Sequence, residues 1–118
     1  MDAAYDLLEQ KKLRLLEQVV EIEVQQQRQH GLLDKVPHFS EIEQAGQNLG
    51  RFLSRLSQSR LADEVAAGEG AAAACPACGE SCPVELSERT VTGLDGPLEV
   101  TEPMADCPAC RRAFFPSA

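Results

Sequence analysis

Two short cysteine motifs of identical sequence constrain this chain more than any other feature. They are Cys75-Pro-Ala-Cys78 and Cys107-Pro-Ala-Cys110, and 28 residues lie between them. Zn²⁺ takes four thiolates in a tetrahedron, and one tight Cys-x-x-Cys turn supplies two of them. Two such turns in this order predict one structural zinc bound by Cys75, Cys78, Cys107 and Cys110. Four thiolates leave no open position on the metal, so a catalytic zinc is not expected.

Other uses of these thiols are weaker interpretations. A redox dithiol is disfavoured because no βαβ pattern surrounds either motif. Two disulfides are disfavoured because the chain is expected to be intracellular. Cys82, the fifth cysteine, is expected to be a small free residue near the first motif, and replacing one of the four ligands is the lesser alternative. His30 and His38 are expected at a helix end and in a loop rather than on the metal.

The segment between the motifs has the pattern of a β-hairpin. Residues 89–94 and 97–102 flank Asp95-Gly96, a dipeptide that favours a type I′ turn. If these two residues form the turn, three compatible pairs result: Val91 with Val100, Thr90 with Thr101, and Arg89 with Glu102. Residues 113–116 are expected to add a short third strand and aromatic cover for the metal. Together these elements predict a zinc ribbon over residues 75–118.

The first third of the chain predicts a long helix. Residues 3–30 contain neither Pro nor Gly and are rich in good helix formers. An apolar stripe recurs at helical spacing, comprising Leu8, Leu15, Val19 and Ile22. His30-Gly31 is the expected end of the helix, because Gly tolerates the left-handed conformation found there.

A second helix is predicted over residues 41–65. Pro37 blocks continuation of the first helix, and Ser40 with Glu43 matches a capping box. Its apolar stripe is Ile42, Ala45, Leu49, Phe52 and Leu56. Residues 1–66 are therefore expected to form an antiparallel helical hairpin, whose heptad-like seam closes on itself or pairs with a second copy or another helix. Residues 67–74 are expected to be a flexible linker, which gives an α+β fold.

Composition and charge limit the function classes. The 118 residues carry 19 acidic and 11 basic side chains, for a net charge of −8. A chain this short needs a metal, a disulfide or a partner to supplement its core. No run approaches the roughly 20 apolar residues of a membrane span, and the first residues carry no secretory signal. We therefore expect a cytoplasmic protein that does not contact membranes.

The cysteine-rich half resembles a known family. The segments are Cys75-Pro-Ala-Cys-Gly-Glu-Ser-Cys-Pro, Arg89-Thr-Val-Thr-Gly-Leu-Asp-Gly-Pro and Cys107-Pro-Ala-Cys-Arg-Arg-Ala-Phe-Phe-Pro. They resemble the N-terminal zinc ribbon of bacterial insertion-sequence transposases of the ISKra type. The resemblance is specific over residues 75–116 and only general over the first 66. It implies that the four motif cysteines bind zinc.

The same resemblance implies domains that this sequence does not contain. In the family, a helix-turn-helix region and an RNase-H-like catalytic domain with an acidic triad follow the ribbon. The sequence ends at Ala118, and its Asp and Glu residues show no spacing that would create a catalytic metal site. The expectation is a transposase-derived module without its chemistry, either a natural stand-alone protein or a fragment.

Three function classes follow. The first is recognition of transposon-end DNA, with phosphate contacts from Arg89, Arg111, Arg112, Arg51 and Arg55. The net charge of −8 opposes it, because phosphate binding needs a basic face. The second is an interaction module that binds another copy or a helical partner. The third, an enzyme acting on a small molecule, is not expected, because no nucleophile–base pair, phosphate-binding loop or open metal site is visible.

Overall fold

The computed structural model describes residues 2–116 and shows two helices followed by a small antiparallel sheet. The helices are α1, Ala3–Gln29, and α2, Phe39–Gly68. The strands are β1, Ala72–Ala74; β2, Ser81–Gly93; β3, Gly96–Cys107; and β4, Arg112–Phe114. They form one sheet in the order β1-β2-β3-β4. The chain is therefore an α+β protein, as the sequence predicts.

Hydrogen bonds cap both ends of α1. The Asp2 carboxylate accepts a hydrogen bond of 3.0 Å from a backbone N–H of the first turn. At the other end, the N–H groups of Gly31 and Leu32 donate to the carbonyls of Arg28 and Gln27. Gly31 has a φ of 87°, which completes a Schellman motif. The predicted stop at His30-Gly31 is confirmed.

The start of α2 differs from the predicted capping box. The helix begins at Phe39, and the Glu41 carboxylate accepts a hydrogen bond of 3.1 Å from the His38 N–H. Glu41 therefore has the capping role predicted for Glu43, and Ser40 lies inside the first turn of the helix. The prediction was wrong because Glu41 has the same three-residue spacing from His38 that Glu43 has from Ser40. Starting at Phe39 makes the helix longer.

Part of the predicted flexible linker is ordered structure. The second helix continues to Gly68, and the alanines of β1 pair with the start of β2: Ala72 with Pro83, Ala73 with Cys82 and Ala74 with Ser81. The run of alanines has no strand preference of its own, so pairing with β2 decides its conformation. The boundaries predicted for the domains, at residues 66 and 75, stay predictions.

The described chain forms two compact units, which divide between Ala45 and Gly46. The second unit holds the rest of α2 and the whole sheet. Its core is a small cluster at the cysteine end of the sheet, comprising Cys75, Cys82, Ala105 and Cys107, with Val84, Cys110 and Phe114 packed against it. No residue of α1 is buried.

Most residues of the apolar stripes predicted on the two helices are exposed to solvent, whereas Ala45 and Leu49 of α2 are half-buried. In α1, Leu8, Leu15, Val19 and Ile22 are each at least 41% exposed, and in α2 the same holds for Ile42, Phe52 and Leu56. Buried apolar area is the main favourable term in folding, so these stripes contribute little in the chain as it stands. The partner predicted for this seam stays a prediction.

The pairing of β2 with β3 differs from the predicted register by two residues, because the turn lies one residue earlier in the chain than predicted. Gly93 pairs with Gly96, so the turn residues are Leu94 and Asp95. Within the described residues Arg111 alone among non-glycines has a positive φ, which excludes the predicted type I′ turn at these positions. The positive φ falls on Gly96 instead (104°), as in hairpin loops in which a left-handed glycine follows the turn. The α2 helix also contacts this turn, because the Ser54 hydroxyl and the Arg55 guanidinium both donate to Asp95.

The register error leaves the faces of the hairpin unchanged. Arg89 lies opposite Val100 rather than Glu102, and Val91 lies opposite Leu98. Side chains alternate with a period of two along a strand, so a shift of two residues keeps each one on its predicted face. Arg89 therefore still reaches Glu102, now diagonally, at 2.8 Å. The predicted opposite pairs were wrong, whereas the salt bridge between Arg89 and Glu102 is present.

Candidate metal centre

The two cysteine motifs form matching turns at the same end of the sheet. We call residues 75–79 the first knuckle and residues 107–111 the second knuckle. The first joins β1 to β2, and the second joins β3 to β4. In each, the residue after the second cysteine donates its N–H to the carbonyl of the first cysteine, from Gly79 to Cys75 at 2.8 Å and from Arg111 to Cys107 at 2.7 Å. Gly79 and Arg111 both have positive φ values, 78° and 55°.

The four motif sulfurs converge on one point. All four Sγ atoms lie within 4.8 Å of one another. The Sγ atoms of Cys75 and Cys110 are 3.9 Å apart, and those of Cys78 and Cys107 are 3.5 Å apart. A tetrahedron with metal–sulfur bonds of about 2.3 Å has sulfur–sulfur edges of about 3.8 Å. The spacing therefore fits a single four-coordinate metal ion, and all five cysteines are free thiols.

Backbone amides favour a thiolate at the first cysteine of each knuckle. The pKa of Cys107 is lowered to about 6, chiefly by the backbone N–H of Cys110, which lies 3.3 Å from its sulfur. The pKa of Cys75 is lowered in the same way by the backbone N–H groups of Cys78 and Ala77. A thiolate is the form that binds a metal, so these two positions are prepared for a ligand role.

The second cysteine of each knuckle holds its proton more firmly. The pKa of Cys110 is raised to about 12, chiefly by its hydrogen bond with the Cys78 sulfur. The largest single influence on Cys78, a backbone N–H from Glu80, lowers its pKa, but the Cys107 sulfur, burial and the Cys75 sulfur together outweigh it, and the pKa is raised. Four negative sulfurs at this spacing repel one another without a cation, so a bound metal ion has to displace the remaining protons.

Cys82 lies in the core beside the cluster rather than in it. Its side chain is fully buried, and its thiol donates to the Glu80 carbonyl at 3.3 Å. Burial, followed by the nearby Cys107 sulfur, raises the pKa of Cys82 to about 11. A thiol that keeps its proton is a small apolar residue, which agrees with its predicted place near the first knuckle.

The two phenylalanines after the second knuckle have separate contacts. Phe114 packs against the buried cysteine cluster, as predicted for aromatic cover of the metal. The Phe115 ring lies 5.7 Å from the Arg89 guanidinium carbon, within the range of a cation–π contact. Of these two rings, Phe114 is therefore the one that packs against the buried cysteines.

The arginines predicted to contact phosphate fall into two groups. Arg89 is paired with Glu102, and Arg55 donates to the Asp95 carbonyl at 2.8 Å. Three others, Arg51, Arg111 and Arg112, are exposed and have no ion pair or hydrogen bond of their side chains within the described residues. His30 and His38 lie at helix ends, and neither belongs to the single group of metal-ligating side chains found in residues 2–116.

Sequence reasoning missed the contacts between α2 and the hairpin. Besides Ser54 and Arg55 at Asp95, the Ser59 hydroxyl donates to the Glu99 carbonyl at 3.2 Å. These residues are about 40 positions apart in the chain, and no local pattern in the sequence indicates the pairing. These bonds hold the hairpin turn and the outer edge of β3 against the helix.

Comparison with protein-family models, with curated proteins and with solved structures finds no match to this chain. Across the described part of the chain, neither helix combines the length and the apolar character that crossing a membrane requires. The cysteine cluster is therefore the feature from which a function has to be argued.

Proposed function

We propose that this chain is a non-catalytic binding module whose β region is a zinc ribbon, held by one Zn²⁺ on Cys75, Cys78, Cys107 and Cys110. The convergence of four sulfurs within 4.8 Å carries this proposal. Four soft thiolates in a tetrahedron select zinc over magnesium or calcium, which prefer oxygen ligands. The small core around the cluster agrees with a fold that depends on its metal.

The role of the zinc is structural. Four protein ligands fill its coordination sphere, which leaves no position for a water molecule or a substrate. Zinc at this site ties the two knuckles together and so fixes the ends of all four strands. The rest of the sheet and α2 are then held as a rigid surface for binding another macromolecule.

Metal analysis of the purified full-length chain tests this proposal. We expect one zinc per chain and loss of the β-sheet signal in circular dichroism when a strong chelator removes it. Substitution by Co²⁺ should give the absorption spectrum of a tetrahedral four-thiolate site, unchanged by added azide or imidazole. A chain that purifies without zinc and keeps its sheet in chelator would refute the zinc ribbon, and a spectrum altered by azide would refute the closed site.

Binding to another protein is the function that the structure supports best. The chain carries a net charge of −8, and two of the five candidate arginines are already engaged by Glu102 and Asp95. Most of the residues in the apolar stripes of both helices are exposed. An acidic surface with unpartnered apolar residues suits a protein partner, such as another copy of the chain or another helix, better than the phosphate backbone of DNA.

DNA recognition within a transposase-like assembly is the second candidate. The exposed pair Arg111-Arg112 at the second knuckle favours it, because these side chains have no acidic partner in the described residues. The test is a salt series with duplex DNA and the zinc-loaded chain. We expect weak binding whose salt slope decreases by about one for Arg112→Ala. Binding that ignores salt and this substitution would remove DNA from consideration.

A further inference from the structure

Two hydrogen bonds show which way the backbone groups of the hairpin point. The Val84 N–H donates to the Ala71 carbonyl at 2.9 Å, away from β3. The Glu99 carbonyl accepts from Ser59 of α2 at 3.2 Å, away from β2. Backbone directions alternate along a strand. Even-numbered residues of β2 and odd-numbered residues of β3 therefore direct their N–H and C=O groups to the two outer edges of the hairpin.

The outer edge of β3 is less suited to further pairing. Pro97 and Pro103 lie on the same side as Glu99 and have no N–H to offer. The α2 helix satisfies the Glu99 carbonyl through Ser59. Proline and a covering helix are two common ways in which proteins protect a strand edge.

The outer edge of β2 is open beyond its first residues. Strand β1 pairs only with Ser81, Cys82 and Pro83. The next outward-facing residues are Leu86, Glu88, Thr90 and Thr92, all of which are exposed. Within residues 2–116, their outward N–H and C=O groups have no hydrogen-bond partner. Four donors and four acceptors in a row form a template for one more strand.

Charge indicates what kind of strand fits this edge. Glu85 and Glu88 are exposed along β2, whereas the charge of Arg89 is neutralised by Glu102. A second copy of β2 would bring the same acidic residues to an already acidic edge in a chain of net charge −8. Leu86 is 63% exposed and offers an apolar contact. A strand with basic and β-branched residues complements this edge.

We propose that the outer edge of β2, from Leu86 to Thr92, binds an extended basic peptide segment of a partner protein by strand addition. Main-chain hydrogen bonds to the four outward-facing residues supply the affinity, and the acidic side chains favour Lys or Arg in the partner. This inference rests on the proposed function as a zinc-stabilised protein-binding module, because the metal holds one end of β2 in place.

The experiment uses the zinc-loaded full-length chain and an end-blocked eight-residue peptide of alternating Lys and Val. We expect amide chemical-shift changes and slower hydrogen exchange at Leu86, Glu88, Thr90 and Thr92 when the peptide is added. Thr90→Pro should weaken binding about tenfold or more, because it removes a central donor. The hydrogen bonds between β2 and β3 do not use this N–H. In β3, Pro97 and Pro103 likewise occupy positions whose N–H would point to the outer edge of the hairpin. Thr90→Val keeps the donor and should bind as the parent chain does.

Two further measurements test the roles of charge and of strand preference in peptide binding. Glu88→Lys should weaken binding of the Lys-Val peptide without changing the backbone. A peptide of alternating Lys and Gly has the same charge but little strand preference, and should bind much more weakly. Equal binding of the two peptides, shifts outside the β2 edge, or self-association of the chain through this edge would each overturn the inference. Absence of zinc would refute the proposed function, whereas a zinc-loaded chain that ignores the Lys-Val peptide refutes only the strand addition.

Discussion

The two knuckles have the same four-residue sequence and the same internal hydrogen bond, yet different residues follow them. Gly79 follows the first and Arg111 the second, and both adopt positive φ. Glycine has no Cβ and enters this region freely, whereas an L-residue there costs about 1–2 kcal/mol. The comparison shows that the turn of the knuckle determines the backbone conformation of the residue after the second cysteine. In the second knuckle that residue is Arg111, which adopts a positive φ against its intrinsic preference.

Burial also distinguishes the knuckles. The first cysteine of each knuckle is buried (Cys75 is 4% exposed and Cys107 1%), whereas the second cysteine is exposed in the first knuckle (Cys78) and half-buried in the second (Cys110). The core residue Phe114 follows the second knuckle by a few positions. Both knuckles therefore place their first cysteine in the hydrophobic core, and the second knuckle is the more deeply packed of the two. Four predictions test how far this difference extends.

The largest effect is expected from two single substitutions, each of which removes one metal ligand, one in the first knuckle and the other in the second. Cys78→Ser and Cys107→Ser should each lower zinc affinity about a hundredfold or more, since four thiolates share the binding free energy of a structural zinc. Cys107→Ser should also unfold the sheet at a lower temperature than Cys78→Ser does, because it places a hydroxyl in the core. Competition with a chromophoric chelator measures the affinity, and thermal circular dichroism measures the stability.

Cys82→Ala is the matched control for the ligand substitutions. It removes a buried thiol beside the cluster, so zinc affinity should remain close to that of the parent chain. Loss of zinc from this variant comparable to that of Cys78→Ser would mean that Cys82 is a ligand.

The features that the sequence could predict are those with causes close by in the chain. The four cysteines were predicted as one site because the ligand spacing is local to each knuckle. The end of α1 was predicted because Gly31 acts on its own helix. The hairpin register was wrong because Gly96 follows the turn in the left-handed region rather than forming part of it, and the contacts of Asp95 with Ser54 and Arg55, about 40 residues away, were not foreseen. No local signal in the sequence contains that contact.

The β1 strand teaches the same lesson from the other direction. An alanine run after Gly68 and Gly70 has the composition of a linker, yet Ala73 pairs with Cys82. The pairing follows from the first knuckle, which reverses the chain and returns it beside itself. A strand that depends on a neighbouring turn is predictable only once the turn has been placed.

The next effect is the dependence of zinc binding on pH. Zinc binds thiolates, so affinity rises with pH wherever a ligand is still protonated. The pKa of Cys107 is lowered to about 6, chiefly by the Cys110 backbone N–H. Above that pH Cys107 has already lost its proton, and below it zinc must displace one more. For each pH unit below pH 6, zinc affinity should therefore fall by an additional factor of about ten compared with its fall above pH 6.

Cys107→Ser sharpens this pH prediction. The variant lacks the thiol whose pKa is lowered to about 6, so the extra steepness near that pH should disappear. Chelator competition between about pH 5 and pH 8 measures both chains. A parent chain whose slope is constant through pH 6 would contradict the lowered pKa of Cys107.

A smaller effect is expected when the first knuckle loses its glycine. Gly79→Ala places a Cβ on a residue with a φ of 78°, which should destabilise the zinc-loaded chain by about 1–2 kcal/mol. No heavy atom lies within 4 Å of that Cβ position, so the cost comes from the backbone conformation rather than from a clash. Urea unfolding at constant zinc measures the free energy, and Gly68→Ala, which adds a Cβ in open space at the end of α2, is the control that should not destabilise.

The smallest effect is expected at the second knuckle and has the opposite sign. Arg111→Gly should stabilise the zinc-loaded chain by about 0.5–1 kcal/mol, since relief of the left-handed conformation exceeds the extra entropy of glycine in the unfolded chain. Arg111→Ala keeps the Cβ and should leave stability nearly unchanged, which separates the backbone effect from loss of the arginine charge. Urea unfolding of the three chains decides between these outcomes. If Arg111→Gly destabilises while Arg111→Ala does not, the second knuckle relies on restricted backbone freedom in the unfolded state more than on relief of strain.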